Sequence, residues 1–264
     1  SKRFGESKAT EGFHQTGTTH EFWIYIKSSD HSTDTRIVYQ KRDTTSSAKA
    51  VSIWASGISA TEFDISFHIS SDNFRSLKHT ITPLEYDKWH HVAFVYERAK
   101  TERIFGFVNG VYHSNTTNTR AELDDIIMGD ATIYLGKAVG TFSTYAENTV
   151  VSNAFIGLLD EFRIWSTTRT ASQILAYMHK NVDSQLNLQL CYRFSEPSSA
   201  INNYQASNVV LDYSGNSLHT FVVNAGSYDA KGLVNDVNGS PIQPPLENEK
   251  LSDNYILFPD WGPN

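Results

Sequence analysis

The chain has 264 residues, and its 22 lysines and arginines against 29 aspartates and glutamates give a net charge of −7. The basic residues form no dense run, which argues against a nucleic-acid partner, and no apolar stretch approaches the ~20 residues that would cross a bilayer. Cys191 is the single cysteine, so an intrachain disulfide is excluded. We expect no signal peptide at the N-terminus.

The first part of the chain predicts many short strands. Residues 1–19 are polar and lack periodicity, and they are interpreted as an N-terminal arm. The first clear strand covers residues 20–27. Further strands follow after short polar turns, at 36–40, 51–55, 62–69 and 76–81. Short strands separated by polar turns are typical of an antiparallel sandwich and not of a βαβ fold.

The next segments predict a central strand and a hairpin. Residues 89–96 are apolar on both faces, as a strand in the middle of a buried sheet would be. Strands at 104–108 and 111–113 bracket Asn109-Gly110. This dipeptide is the strongest short signal of a type I′ turn, because both central residues of that turn need positive φ.

A strand and a helix follow further along the chain. Residues 155–165, FIGLLDEFRIW, alternate and carry apolar side chains on both faces, which predicts a strand buried on both sides. Thr170 is placed as the N-cap of a short helix near 170–180. The apolar residues at helical spacing are Ile174, Leu175 and Met178.

Four motifs, in order along the chain, carry a resemblance to a known family. KWHHVAFVYE, FVNGV, IYLG and G-x-L-D-E-F-R-I-W-S-x-x-R-T-x-x-Q-I resemble segments of laminin-G-like, concanavalin A-like domains. The resemblance implies an antiparallel β-sandwich (a jelly roll) with one short helix, and the Pro/Gly/Asn-rich composition of the tail predicts an irregular C-terminal extension. The resemblance also implies that Asp160 and Glu161 cap or bridge backbone where the closing strand meets the helix. The motif residues with an implied structural role are Trp89, His91, Asn109, Gly110, Asp160, Glu161 and Trp165.

The region after the helix has two explanations. Residues 186–196 and 209–219 resemble segments that open the domain in many family members, but here they follow the helix. They either complete the same sandwich or begin a second tandem copy. We favour the first, because the last 40 or so residues hold no second copy of the motifs. The chain is therefore divided into an arm, a sandwich and a Pro/Gly/Asn-rich extension, at 1–19, 20–224 and 225–264.

One predicted strand invites comparison with a catalytic pattern. Laminarinase-type glucanases share this sandwich and carry E-x-D-x-x-E on one strand. Glu62 and Asp64 match the first two acids, but Phe67 stands at the third position. Because retaining hydrolysis needs two carboxylates at a fixed separation, we interpret the acids as a solvated strand face and expect no enzymatic activity.

Calcium is the cofactor that the resemblance implies. Many relatives hold the ion in loops at one rim of the sandwich, and a hard cation needs several oxygen ligands. The candidate ligands are Asp30, Asp34, Asp124, Asp125 and Asp130. His90 and His91 are expected on opposite faces of one strand, one packed and the other exposed, and therefore not in a joint metal site.

The sequence favours binding over catalysis. Phe142 and Tyr145, in a long polar loop, are the candidate aromatic platforms for a ligand, because the tryptophans fall in predicted core strands. We predict a non-enzymatic binding or adhesion module that recognises glycans or a protein partner at an extracellular, cell or virion surface. The alternative is a structural subunit of a large assembly, touching neighbouring subunits through residues 1–19 and 241–264. A glycoside hydrolase is the third hypothesis.

Overall fold

The alternating apolar pattern of the sequence folds into two β-sheets packed face to face. The computed structural model describes residues 17–42, 50–70, 76–98, 103–117, 133–136, 142–143, 150–151, 153–194 and 209–221. The first eight strands are β1 (Gly17–Tyr25), β2 (Arg36–Arg42), β3 (Ala50–Gly57), β4 (Glu62–Ser70), β5 (Ser76–Glu85), β6 (Trp89–Glu97), β7 (Arg103–Val108) and β8 (Val111–Thr117). The remaining strands in the described residues are β9 (Ile133–Leu135), β10 (Phe142–Ser143), β11 (Val150–Val151), β12 (Asn153–Ala154), β13 (Leu158–Trp165), β14 (Leu188–Tyr192), β15 (Val209–Val210) and β16 (Thr220–Phe221). A single α-helix in the same residues, α1, covers Ala171–Tyr177.

The first sheet has six strands in the order β14-β13-β1-β6-β7-β8, each antiparallel to its neighbours. The second sheet has the order β12-β2-β3-β4-β5, with β9 also paired to β2. It is antiparallel apart from the pair formed by β12 and β2. Because β14 pairs with β13, residues 188–192 complete this sandwich and do not begin a second copy. The predicted antiparallel sandwich is confirmed.

The main core lies between the two sheets and follows the alternation of the strands. Phe63, Ile65 and Phe67 of β4 all face this core and are fully buried. Phe162 of β13 stacks on Phe22 of β1 across the neighbouring strand, with ring centroids 5.5 Å apart. Burying such side chains contributes most of the free energy that opposes chain entropy, at ~25 cal/mol per Å² of apolar area.

Helix α1 covers the outer face of the first sheet, so its central strands are buried on both sides. Ile174 of α1 is fully buried against Ala93, Val95 and Phe107. The predicted N-cap is present as a capping box, in which the Thr170 hydroxyl accepts from the Gln173 backbone N–H. Leu175 was predicted on the apolar face of the helix with Ile174 and Met178. It instead lies outside the buried stripe of the helix and remains half exposed.

A buried ionic network fastens the segment around α1 to the first sheet. The Arg163 guanidinium lies 2.7 Å from Glu161 and 3.6 Å from Glu21. It also donates to the backbone carbonyls of Tyr177 (3.0 Å) and Lys180 (2.6 Å). Burial would lower the pKa of Arg163, but Glu161 and Glu21 outweigh it and raise that pKa. A guanidinium suits this position because its planar fork can serve several acceptors at once.

Two details of the strands differ from the sequence predictions. His90 and His91 are both buried, although one was expected to be exposed. The reason is that β6 lies in the middle of the first sheet, with the core on one face and the segment around α1 on the other. The strand predicted from residue 155 begins only at Leu158. Phe155 and Ile156 instead line a cleft at the end of the sandwich.

Candidate functional site

A cleft opens at the end of the sandwich where β1 ends and β2 begins. We call it the rim cleft; it is a shallow, open depression with enclosed room for about one water molecule. Its floor is apolar and consists of Ile26, Ala55, Phe63 and Phe155. Its mouth is polar and carries Asp30, Ser32, Asp34 and Arg36. An apolar floor below a few polar groups also occurs in small-molecule sites, but this depression is too small to enclose a ligand, so a ligand here would lie across its mouth.

The floor is the exposed end of the core. Ile26, Phe63 and Phe155 are buried members of the main core cluster, so their positions are fixed by packing between the sheets. Ile156 follows Phe155 at the edge of the cleft and is 44% exposed. A ligand in the cleft would therefore contact a rigid apolar surface and one exposed aliphatic side chain.

The mouth is built by the loop between β1 and β2, which is tied down at three points. The Ser28 backbone N–H donates to Asp87 Oδ1 at 3.1 Å. The Gly57 backbone N–H donates to the Ser32 carbonyl at 2.8 Å. The Ser56 hydroxyl donates to the Thr33 carbonyl at 3.0 Å. These bonds hold the loop against β3, so the polar groups at the mouth are preorganised.

Gly57 permits the close approach of this loop to β3. A Cβ atom at this position would lie 2.6 Å from the Ser32 carbonyl oxygen and 2.7 Å from the Tyr86 hydroxyl. His31 Nδ1 is within hydrogen-bond distance of the same hydroxyl, at 3.2 Å. Tyr86 and His31 therefore form a polar wall behind the mouth. Burial, opposed by the charge of Arg36 and reinforced by that of Asp64, raises the pKa of Tyr86.

The charged groups at the mouth are available to a ligand. Asp30 is half-buried and Asp34 is exposed. The described residues offer neither a hydrogen bond nor an ion pair to these two carboxylates. Arg36 donates from Nη1 to the backbone carbonyl of Asp30 at 3.3 Å, which leaves most of its five donors unused there. Within the described residues, the mouth thus presents acceptors and donors side by side that could bind a ligand.

The rim cleft contains two of the predicted calcium ligands. Asp30 and Asp34 both line it. Asp124, Asp125 and Asp130 lie outside the described residues. In the part of the chain that the structure describes, no three His, Cys, Asp or Glu residues lie close enough together to hold a metal ion.

The two predicted aromatic platforms cannot be located at the cleft. The backbone of Phe142 lies in β10, but its side chain and the whole of Tyr145 are outside the described residues. The aromatic and aliphatic side chains that the cleft does use are Phe155 and Ile156. They were assigned to a strand, and the sequence signal against that assignment was Gly157, because a glycine weakens the interior of a strand.

The motif residues occupy structural positions away from the cleft. Asn109 and Gly110 form the turn between β7 and β8, and Trp165 is buried beneath Arg169, whose guanidinium lies 3.8 Å above its ring. Asp160 Oδ1 accepts from the Glu161 backbone N–H at 2.9 Å, at a bulge where Glu161 has a φ of 49°. The other two, Trp89 and His91, lie in β6, half-buried and buried respectively.

The acids of the catalytic comparison lie on the outer face of the second sheet. Glu62 and Asp64 are half-buried, whereas Phe67 is fully buried in the core. Burial raises the pKa of Asp64, although Lys78 and the Ser56 backbone N–H oppose the shift. Phe67 lies on the opposite face of β4 from Asp64, so an acid at that position would not complete a carboxylate pair.

The comparisons with known proteins agree with this architecture. The family model described as the concanavalin A-like lectin/glucanase superfamily matches residues 6–175. A comparison with curated protein sequences found no match. No helix in the described part of the chain has the length and apolar character that a bilayer crossing requires.

Among solved structures, the chain is similar to a candidate carbohydrate-binding protein from Bacteroides ovatus, with 18% identity and a TM-score of 0.51. The alignment covers 78% of this chain and 52% of that one, so the chain spans about half of its length. It also resembles the CBM40 module of a Ruminococcus gnavus sialidase bound to α2,3-sialyllactose (12% identity, TM-score 0.45, covering 64% and 85%). A third likeness is to the receptor-binding domain of a botulinum neurotoxin C/D mosaic serotype (12%, 0.43, covering 62% and 36%). The first of these likenesses shows a shared fold.

Proposed function

Because the chain belongs to the concanavalin A-like lectin/glucanase superfamily, we propose that it is a non-enzymatic glycan-binding module and that the rim cleft is its binding site. The proposal includes the extracellular or particle-surface location expected from the sequence. It is supported chiefly by one observation: two carboxylates and a guanidinium stand over an apolar floor, and no residue in the described part of the chain pairs with either carboxylate.

This arrangement matches the chemistry of a pyranose ring. A sugar has an apolar C–H face, which can pack on the exposed side chain of Ile156, and hydroxyl groups around its edge. Carboxylates accept strong hydrogen bonds from hydroxyls, and a guanidinium donates to two oxygens at once. Because the loop is tied to β3, little ordering entropy would be lost on binding.

Catalysis is not part of the proposal. Glu62 and Asp64 lack a third acid, and they lie on the outer face of the second sheet. Calcium at the mouth stays a prediction. The structural-subunit alternative depends on residues 1–19 and 241–264. Residues 17–19 belong to β1 and are buried, so the predicted arm is shorter than expected. Residues 1–16 and 241–264 lie outside the described part of the chain, and the alternative stays untested.

The test is binding of the purified chain to a panel of immobilised oligosaccharides, measured with added calcium and with chelator. Ile156→Ser should weaken any retained glycan by about tenfold, because it removes an exposed apolar contact at the cleft. Leu186→Ser is the matched control, because Leu186 is 88% exposed and outside the cleft. If no glycan is retained, or if both variants bind like the parent chain, the proposal is wrong.

A further inference from the structure

The charge at the mouth of the rim cleft restricts the ligand further, if the proposed function holds. The charged groups there are Asp30, Asp34 and Arg36. No described residue neutralises either carboxylate, and the one guanidinium is oriented by the Asp30 backbone carbonyl at 3.3 Å. The mouth therefore carries two negative charges and one positive charge, a net charge of −1 from these three residues.

The groups next to the mouth leave this sign unchanged. Asp64 accepts from the backbone N–H of Ser56, which lines the cleft, and the nearby charge of Lys78 opposes that of Asp64. His31 and Tyr86, behind the lining residue Gly57, are within hydrogen-bond distance of each other at 3.2 Å. The whole chain has a net charge of −7, which repels anionic ligands during their approach.

A neutral sugar and an acidic sugar would meet this mouth differently. Hydroxyls of a neutral sugar can donate to the carboxylates of Asp30 and Asp34 and accept from Arg36. A carboxylate or sulfate on the sugar would gain one contact with Arg36 but stand beside two like charges. At about 4 Å each like charge weakens binding by about fivefold even at the dielectric constant of water. We infer that the rim cleft selects neutral glycans and rejects glycans whose terminal sugar carries a carboxylate or sulfate.

The experiment compares matched neutral and acidic ligands on the full chain. The probes are lactose and 3′-sialyllactose, and cellobiose and its glucuronate-terminated analogue, each immobilised through the reducing end. In whichever pair the chain binds better, the neutral glycan should bind about tenfold more tightly than its acidic counterpart at low salt. The preference should shrink with added salt, because screening acts on exposed charges.

Two variants assign the preference to the cleft. Asp34→Asn should reduce the ratio of the affinity for the neutral glycan to that for the acidic glycan by about fivefold. The variant should fold normally, because Asp34 is exposed and its backbone N–H donates to the Ser32 hydroxyl. Asp183→Asn removes the same charge at a site that is 87% exposed and pairs with Arg193, so it should leave the ratio unchanged.

The outcomes separate the two proposals. An acidic ligand that binds as tightly as its neutral counterpart, or an Asp34→Asn ratio equal to that of the parent chain, overturns the inference while the glycan-binding function stands. If the chain retains neither the neutral nor the acidic glycans, both this inference and the proposed glycan-binding function are wrong.

Discussion

Lys41 carries a titratable amine into the interior of the sandwich. It pairs with Val51 across β2 and β3, and Val51 belongs to the main core. The side chain is 3% exposed, and its Nζ has no hydrogen-bond partner in the described residues. Burial lowers the pKa of Lys41 to about 8. The pKa of His20 falls to about 3, mainly because the His20 ring is buried, and the positive charge of Lys41 lowers it further.

We expect Lys41→Met to stabilise the fold at neutral pH. The folded-state pKa of about 8 lies below the ordinary 10.5, so keeping the amine charged below pH 8 costs roughly 3 kcal/mol. Folding releases a proton between pH 8 and 10.5, and the stability of the parent chain therefore rises across this window. Urea unfolding at pH 7, 8, 9 and 10 measures the difference in the free energy of unfolding between the variant and the parent chain. This difference should become smaller as the pH rises.

Lys88→Met is the control for this prediction, because Lys88 is 59% exposed and pairs with Glu85 at the surface. It should give no comparable gain. If the free energy of unfolding differs between Lys41→Met and the parent chain by the same amount from pH 7 to pH 10, Lys41 keeps its ordinary titration.

At the scale of single elements, the sequence predicts what depends on local chemistry. The turn at Asn109-Gly110 has the expected positive φ values of 51° and 76°. Thr170 caps α1 as predicted. Strand β8 extends to Thr117, beyond the predicted end at 113, because its polar residues show no alternation and are held by backbone pairing with β7.

The Asn-Gly hairpin makes a prediction that separates backbone strain from packing. Gly110 has a φ of +76°, and a Cβ there would lie 2.7 Å from Leu175 Cδ1. Gly136 has a similar φ of +71°, but a Cβ there would have no neighbour within 4 Å. Gly136→Ala should therefore cost only the strain of the left-handed region, about 1 kcal/mol. Gly110→Ala should cost more, because it must also displace the side chain of Leu175 and the backbone of α1 at that residue.

Thermal unfolding of the two alanine variants measures this difference. Gly110→Ala should lose more stability than Gly136→Ala. Adding Leu175→Ala to Gly110→Ala should restore part of this extra loss, because it removes the nearest side-chain atom, Leu175 Cδ1. Equal losses for Gly110→Ala and Gly136→Ala would mean that the contact between the hairpin and α1 contributes nothing.

The rim cleft shows what an element-by-element interpretation cannot supply. Its residues come from the ends of β1, β2, β3 and β4 and from residues 155–156, which meet only because of the order of strands in the two sheets. The sequence singled out Asp30 and Asp34 as loop acids, but Arg36 was assigned to a strand and Ile156 to a buried face. Long-range topology, and not local propensity, decides which of these side chains share one surface.

Across the whole molecule, buried histidines are the largest set of perturbed titratable groups. His20, His68, His79 and His91 are each less than 5% exposed. Burial is the main cause that lowers their pKa values, to about 3 for His20 and His68, to about 4 for His79 and well below 6.5 for His91. The His20 ring packs between Tyr39 and Phe67 in the core, which explains why its charged form is so costly.

These histidines make the fold sensitive to mild acid. Each binds a proton in the unfolded chain near pH 6.5 but stays neutral when folded. Stability is therefore fully present above pH 6.5 and falls as the pH drops towards 3 or 4, by up to ~1.4 kcal/mol per pH unit for each histidine. At pH 5 each fully enclosed ring would remove roughly 2 kcal/mol, and His79 less, because its ring nitrogens lie within hydrogen-bond distance of the Thr116 and Ser114 hydroxyls. The combined loss is a large part of the total stability of a typical domain.

We therefore expect the chain to unfold near pH 5, before the carboxylates titrate. Urea unfolding at half-unit steps from pH 7.5 to pH 4.5 measures the slope of the unfolding free energy against pH. His20→Phe should reduce that slope by about one quarter, because it removes one of four similar groups at a position already lined by Tyr39 and Phe67. His31→Gln, at an exposed position, is the control for the loss of an imidazole. A free energy of unfolding that stays level between pH 7 and pH 5 would mean that the buried rings accept protons without unfolding the sandwich.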